Sequence, residues 1–306
     1  MLRYTASRLL QIVPTVLGVT ALVFFLIWMI PGDPALLLAG EEASPEEVAA
    51  LRRSLGLDRP VIVQYGTWLL GIVTGDWGTS IARPRAVLPE LLTRLPATLE
   101  LALASMVLSL IVAVPLGVVS AIRQNSGFDN GGRVVSLLGL SMPNFWVALL
   151  LILVFAYYLR WLPASGRGTW QHMVLPTIAL GTGMMAEVMR VTRSTMLEVI
   201  RQDYVRTAAA KGVRRVMIHY KHALRNALIS VVTVVGLQLG FRLGGTVVIE
   251  QIFAYPGLGR LAYQAMLQRD IPIIMGTLLL FALMFLVINV VVDLLYSLLD
   301  PRIRYT

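Results

Sequence analysis

Residues 273–299 read IIMGTLLLFALMFLVINVVVDLLYSLL, an apolar run whose only charged residue is Asp293. A helix rises about 1.5 Å per residue and the hydrocarbon core of a bilayer is about 30 Å thick, so roughly 17–25 apolar residues suffice to cross it. Five more runs of this kind lie upstream, at Leu9–Ile30, Thr98–Ala121, Val134–Tyr158, Val174–Met189 and Leu228–Ile249. The fourth is the shortest, and Gly181 and Gly183 interrupt it. The pattern predicts an all-α membrane protein with six transmembrane helices. With no internal duplication and no low-complexity tract, a single transmembrane domain over residues 1–306 is the simplest partition. The prolines at 14, 115 and 143 read as helix kinks.

Composition points the same way. The chain is 57% hydrophobic and 14% charged, too little polar surface to coat a soluble domain of 306 residues. A net charge of +9 could suggest nucleic acid, but the basic residues sit between apolar runs rather than across a soluble face, which excludes that partner in favour of the lipid bilayer. Lys211 and Lys221 are the only lysines, and neither lies in a phosphate-cradling loop, so the chain is not its own P-loop ATPase. Without cysteine there is no disulfide framework, thiol nucleophile or cysteine metal site. His172, His219 and His222 form no metal-ligand pattern, and no cofactor is expected on this chain.

Orientation follows from the short connections. Arg3 and Arg8 precede the first run, which exceeds an ordinary signal-peptide core, lacks a small-x-small cleavage site before Pro31, and reads as a retained anchor. Arg123 and Arg133, the basic stretch 190–227, and Arg302 and Arg304 all fall on the same side for six spans, and the positive-inside rule makes that side the cytoplasm. The long loop at 31–97 then lies outside. In it Ser44-Pro45-Glu46-Glu47 supplies an N-cap, a proline at the first helical position and a glutamate three residues after the cap, predicting a short helix to about Leu55, ended by Gly56. That helix could shield the span ends or meet an outside partner.

The cationic stretch carries Asp203-Tyr204-Val205-Arg206-Thr207-Ala208-Ala209-Ala210-Lys211-Gly212-Val213. Val205, Ala208, Ala209, Val213, Val216 and Met217 recur at helical spacing, predicting a small-faced amphipathic helix over Tyr204–Val216. Such a face suits a groove on another protein or an anionic lipid surface, and periodicity does not separate the two. In the fifth run, Gly236, Gly240 and Gly244 repeat every fourth position, which permits close helix packing either with a second subunit or within this one. Arg242 lies between them. A guanidinium there calls for a cavity or an acid: a translocation pathway shared with Gln238, where a substrate carboxylate would meet it, or a structural pair with an acid such as Glu250. For Glu187, Asn289 and Asp293 a structural hydrogen bond or helix-end solvation is the plainer reading.

The stretch 203–213, together with His222-Ala223-Leu224-Arg225-Asn226-Ala227-Leu228, resembles the coupling region of binding-protein-dependent ABC importer permeases of the peptide/nickel branch. Gly212 matches the family glycine and Thr207-Ala208 approximates its paired alanines, while Arg206 stands where the wider superfamily has glutamate. Pro31-Gly32-Asp33-Pro34, Gly75-Asp76-Trp77-Gly78-Thr79-Ser80, Tyr255-Pro256-Gly257-Leu258-Gly259 and Asp300-Pro301-Arg302-Ile303-Arg304-Tyr305 extend the resemblance to the first permease subunit of dipeptide, oligopeptide and glutathione importers over the whole chain.

The resemblance implies a type I importer permease fold with both termini cytoplasmic, in a bacterial or archaeal cytoplasmic membrane. It also implies a second homologous permease, two cytoplasmic ABC ATPases that consume ATP and Mg, and an extracytoplasmic solute-binding protein. The ATPase would dock on Tyr204–Val213, and this chain would translocate without catalysing. The alternatives are the same ABC permease serving nickel chelates or another non-peptide solute, and an ion-coupled secondary transporter, for which mid-membrane carboxylates and inverted repeats are not evident. An intramembrane enzyme would need a Ser/His, Asp/Asp or metal-binding pair in the spans, and the sequence offers none.

Overall fold

The computed structural model describes residues 2–29, 34–39 and 43–299. Pro31-Gly32-Asp33 and the ending 300–306 therefore lie outside the described residues. The chain runs through α1 (Leu2–Trp28), α2 (Pro34–Ala39), α3 (Pro45–Ser54), α4 (Val61–Thr74), α5 (Val87–Ile122), α6 (Gly127–Ser141) and α7 (Asn144–Leu151), which continues as a π-helix over Ile152–Tyr158. It proceeds through α8 (Gln171–Ile200), α9 (Asp203–Ala210), α10 (Arg215–Met217), a π-helical Ile218–Ala223, α11 (Leu224–Ile252), α12 (Leu258–Leu267) and α13 (Ile271–Leu299). Among the described residues an isolated bridge, Thr79 to Ala86, is the only extended pairing. Four helices there are long and apolar enough to cross a membrane, or five if α6 and α7 form one broken span; the apolar part of α1, Ile12–Trp28, is shorter.

Two compact units emerge. One comprises Met1–Pro96 and Gly257–Met284. In it Val23, Phe24 and Ile27 of α1 pack with Met275 of α13 and with Tyr65 and Trp68 of α4, and the Thr20 and Tyr65 hydroxyls lie 2.9 Å apart. The capping box forms at α3: the Glu47 N–H donates to Ser44 Oγ at 3.3 Å and the Ser44 N–H to Glu47 Oε2 at 2.8 Å. Gly56, at φ +67°, follows the last turn, where a Cβ would be strained. The loop holding Gly75-Asp76-Trp77-Gly78-Thr79-Ser80 is pinned by the buried Asp270, which accepts from the Ser80 hydroxyl and from the Ile81 and Ala82 N–H groups at 3.1 and 3.3 Å.

The other unit comprises Ala97–Pro256 and Phe285–Thr306, and α8 is its axis, packed by α6, α7 and α11. Apolar clusters follow one another along α8: Leu175, Ala179 and Leu180 meet Leu101, Ala148 and Ile249; Met184 and Val188 meet Ala113 and Val231; Met196 and Val199 meet Val118 and Ala223.

Three expectations need correction. Val134–Tyr158 is not one straight helix: α6 and α7 bend by 104° across a break at 142–143. Pro143 has no N–H to offer the turn before it and pushes its predecessor out of the helical region, and Met142 sits extended at φ −83°, ψ 124°. Pro14 and Pro115 lie inside helices that continue past them. The fourth run is neither short nor interrupted, since α8 passes through Gly181 and Gly183 and runs on to Ile200, three turns into the supposed loop. Its glycines serve close approach instead: a Cβ on Gly181 would lie 3.1 Å from Ser109 Oγ. The amphipathic helix expected over Tyr204–Val216 ends at Ala210. There the Gly212 N–H bonds the Ala209 carbonyl at 3.0 Å and the Val213 N–H the Ala208 carbonyl at 3.2 Å, with Gly212 at φ +77°. This is a Schellman stop, which needs a left-handed residue and so selects glycine. Val213, Val216 and Met217 therefore belong to no common face with Ala208.

Candidate functional site

The segment 203–213 is a short helix docked by one edge and open on the other. Val205 is buried. The Tyr204 hydroxyl accepts from Asn226 Nδ2 at 2.5 Å and donates to the His222 carbonyl at 3.3 Å, tying α9 to the base of α11. Arg206, Thr207, Ala209, Ala210, Lys211 and Gly212 are exposed, Ala208 and Val213 half-buried. Arg206 pairs only loosely with Asp203, at 3.8 Å, and nothing lies within 4 Å of where a Gly212 Cβ would be. Val216, Met217 and Tyr220 just beyond are also exposed. Apolar and small groups thus lie open among cations, a surface suited to a protein groove or to an anionic lipid surface.

The expected pathway residues sit on an antiparallel seam between α11 and α8. Arg242 Nη1 donates to the Leu180 carbonyl at 2.6 Å, and Gln238, one turn earlier, bonds the Glu187 carboxylate. Gly183 makes room, since a Cβ there would lie 2.9 Å from Arg242 Nη2. Glu250 takes another partner: the Thr98 hydroxyl donates to its Oε1 at 2.7 Å, and both groups are buried. The glycine row divides. Cβ atoms on Gly236 and Gly240 would lie 2.4 Å from Val292 and 2.3 Å from Phe285 of α13, so both pack within this chain, whereas Gly244 is exposed with nothing within 4 Å.

Two polar clusters went unforeseen. Asp129, fully buried near the start of α6, takes the Arg193 fork on α8, with Nε to Oδ1 at 2.5 Å and Nη2 to Oδ2 at 2.8 Å, besides the Ser120 hydroxyl and the Asn125 N–H. Ser126 caps α6 by accepting the Asp129 N–H at 3.3 Å, and nothing local points to a partner 64 positions on. At the other end of α8, Arg167 binds Glu100 Oε2 at 2.6 Å and lies 6.0 Å from the Tyr255 ring centroid. The hydrogen bonds to Glu100 raise the Arg167 pKa, while burial, then the Glu100 charge, raises that of Tyr255. Among the described residues no group of three His, Cys, Asp or Glu could hold a metal ion.

Residues 113–305 match the family described as binding-protein-dependent transport system inner membrane component, and residues 1–102 match the N-terminal part of the corresponding membrane component. The chain is 45% identical to the dipeptide transport system permease protein DppB of Alkalihalophilus pseudofirmus, with all of both chains covered. It is 43% identical to the glutathione transport system permease protein GsiC of Escherichia coli K12, again over all of both chains. A solved structure of the MetNI methionine ABC transporter superposes with a TM-score of 0.59 at 18% identity, covering 69% of this chain and 96% of that one. The fold is therefore the type I ABC importer permease fold. The chain belongs to the binding-protein-dependent transport system inner membrane components, as a multi-pass permease subunit.

Proposed function

We propose that this chain moves di- or oligopeptides, or a related small solute such as glutathione, by alternating access, driven by two cytoplasmic ATPases that consume ATP and Mg. A second homologous permease completes the pathway, and an extracytoplasmic binding protein delivers the solute. The chain itself carries out no covalent chemistry. Full-length identity to dipeptide and glutathione permeases supports the substrate class. The observation that carries the coupling role is α9: a helix anchored through Val205 and Tyr204, with Ala209, Ala210 and Gly212 open to a partner. Moving a permease from 1:99 to 99:1 between two states takes about 5.5 kcal/mol of differential binding. A docking helix must be held at its base to transmit that bias, and the Tyr204–Asn226 bond does this.

Six spans and cytoplasmic termini follow on the same reading. Exposed Tyr157, Tyr158, Trp161 and Trp170 support an interface just before α8, and the basic Arg190 and Arg193 support the other. Gln171 to Met189 lies between, about 28 Å of helix, the thickness of the hydrocarbon core. The last turns of α8 and all of α9 then stand in the cytoplasm of a bacterium or archaeon. Arg242 and Gln238 line the pathway in this account, with the Arg242 donors left over from Leu180 available to a substrate carboxylate.

The test is reconstitution of the four-subunit assembly with its binding protein in vesicles. Ala209→Trp is expected to lower ATP-driven uptake more than tenfold while the subunits still assemble. Undiminished uptake would remove α9 as the docking element, and uptake driven by an ion gradient without any ATPase would overturn the importer assignment itself.

A further inference from the structure

Between α6 and α8, within one compact unit, lies a cavity of about 320 Å³ whose lining includes Arg133, Leu137 and Leu140 from α6 and Met189, Arg190 and Arg193 from α8. The two helices run antiparallel: Asp129 meets Arg193 at one end, and further along a Cβ on Gly139 would lie 3.1 Å from that of Ala186. The cavity is therefore polarised along its length. Arginines crowd the end nearer Asp129, and Leu137 and Leu140 form the wall leading away from it.

Of the three arginines there, Arg193 is neutralised by Asp129, whereas Arg133 and Arg190 have no close carboxylate among the described residues. Asp129 is spent on Arg193, Ser120 and Asn125. Glu187 is engaged by Gln238 and touches Arg190 only at 3.9 Å, leaving the Arg190 side chain 63% exposed. Arg133 is exposed and donates to the neutral Asn130. Around the cavity, Val134, Val135, Leu137 and Leu138 of α6 are all more than half exposed, an apolar face that in a membrane-spanning chain faces acyl chains or another subunit.

We propose that this cavity binds an anionic phospholipid, its phosphate held by Arg133 and Arg190 and an acyl chain lying along Leu137 and Leu140. Basic pockets between membrane helices on the cytoplasmic side have this chemistry: the guanidinium fork matches a phosphate, and the apolar wall takes the chain that follows it. A free phosphate would leave the leucine wall unused, and a zwitterionic lipid would gain less from two weakly compensated arginines. Only the leaflet, the cytoplasmic one, rests on the orientation given above.

The assembled transporter, purified from nanodiscs of phosphatidylglycerol or of phosphatidylcholine, tests this by native mass spectrometry of retained lipid. Wild type is expected to keep phosphatidylglycerol at least tenfold better than the Arg133→Gln/Arg190→Gln variant, with phosphatidylcholine retention low in both. Arg133→Lys/Arg190→Lys should recover most of the difference, which loss of folding would not allow. Equal retention of phosphatidylglycerol by wild type and the glutamine variant would overturn the proposal. So would a bifunctional thiol reagent that joins Leu137→Cys efficiently to a cysteine on the second permease, because the cavity would then be a subunit seam. Lipid retention is read without transport, so either failure leaves the importer function standing.

Discussion

Two stretches of this chain look alike in sequence and differ in what surrounds them. Gly236, Gly240 and Gly244 on α11, and Ala208, Ala209, Ala210 and Gly212 in and after α9, are both runs of small residues near arginines. On α11 two of the three glycines are consumed by Val292 and Phe285 of the same chain. At α9, Ala209, Ala210 and Gly212 remain open. The arginines divide in the same way: Arg193 is 18% exposed and locked on Asp129, whereas Arg206 is 75% exposed and grazes Asp203 at 3.8 Å. A small residue permits a close approach but does not say by what. Helices that are neighbours in the fold fill that space first, and what they leave open is available to partners.

The ion pairs give the largest contrast. Asp129→Ala strands a partly buried guanidinium and should cost about 3–5 kcal/mol, visible as a collapse of the thermal midpoint in detergent. Asp203→Ala should leave that midpoint where it is, because an exposed pair at this distance contributes little; a comparable drop would mean that α9 is held by more than Val205 and Tyr204. Next come the glycines. Gly240→Leu drives a side chain into Phe285 and should destabilise by about 1–3 kcal/mol, partly relieved by Phe285→Ala, while Gly244→Leu should be silent in the isolated chain. If Gly244→Leu weakens assembly with the second permease, the open end of the row is a subunit contact; if it weakens the lone chain, the division drawn here between filled and open glycines is wrong. The smallest effect lies in the outer loop. Ser44→Ala removes the cap of α3 and should cost about 1 kcal/mol, read by faster amide exchange over residues 45–54 with α8 unchanged.

Much of the fold was legible from short-range signals. Apolar run length placed every long helix within a few turns, and the Ser44 capping box and Gly56 stop bracketed α3, because span length and capping are set by neighbours in sequence. The misses share a cause. Gly181 and Gly183 read as a break, yet α8 passes through them, since the cost of glycine in a helix, about 1 kcal/mol each, is small beside the packing it admits against α5 and Arg242. Gly212 carried a stop signal that the apolar period obscured: the period continues to Met217, but the backbone turns left-handed first. For the proposed docking site, the start of α9 was legible from its apolar spacing, whereas the bonds holding it, Tyr204 to Asn226 and His222, join residues the sequence only lists in order.

By itself, then, the sequence determined that this chain is an all-helical membrane protein and roughly where its long apolar helices lie, because hydrophobic length and caps act locally. Only the tertiary structure decided that Arg193 answers Asp129, that Arg242 rests on Leu180 rather than on Glu250, and which glycines are already filled. Those outcomes depend on which helices are neighbours, and burial drives most polar groups to whatever partner the packing brings within hydrogen-bonding reach.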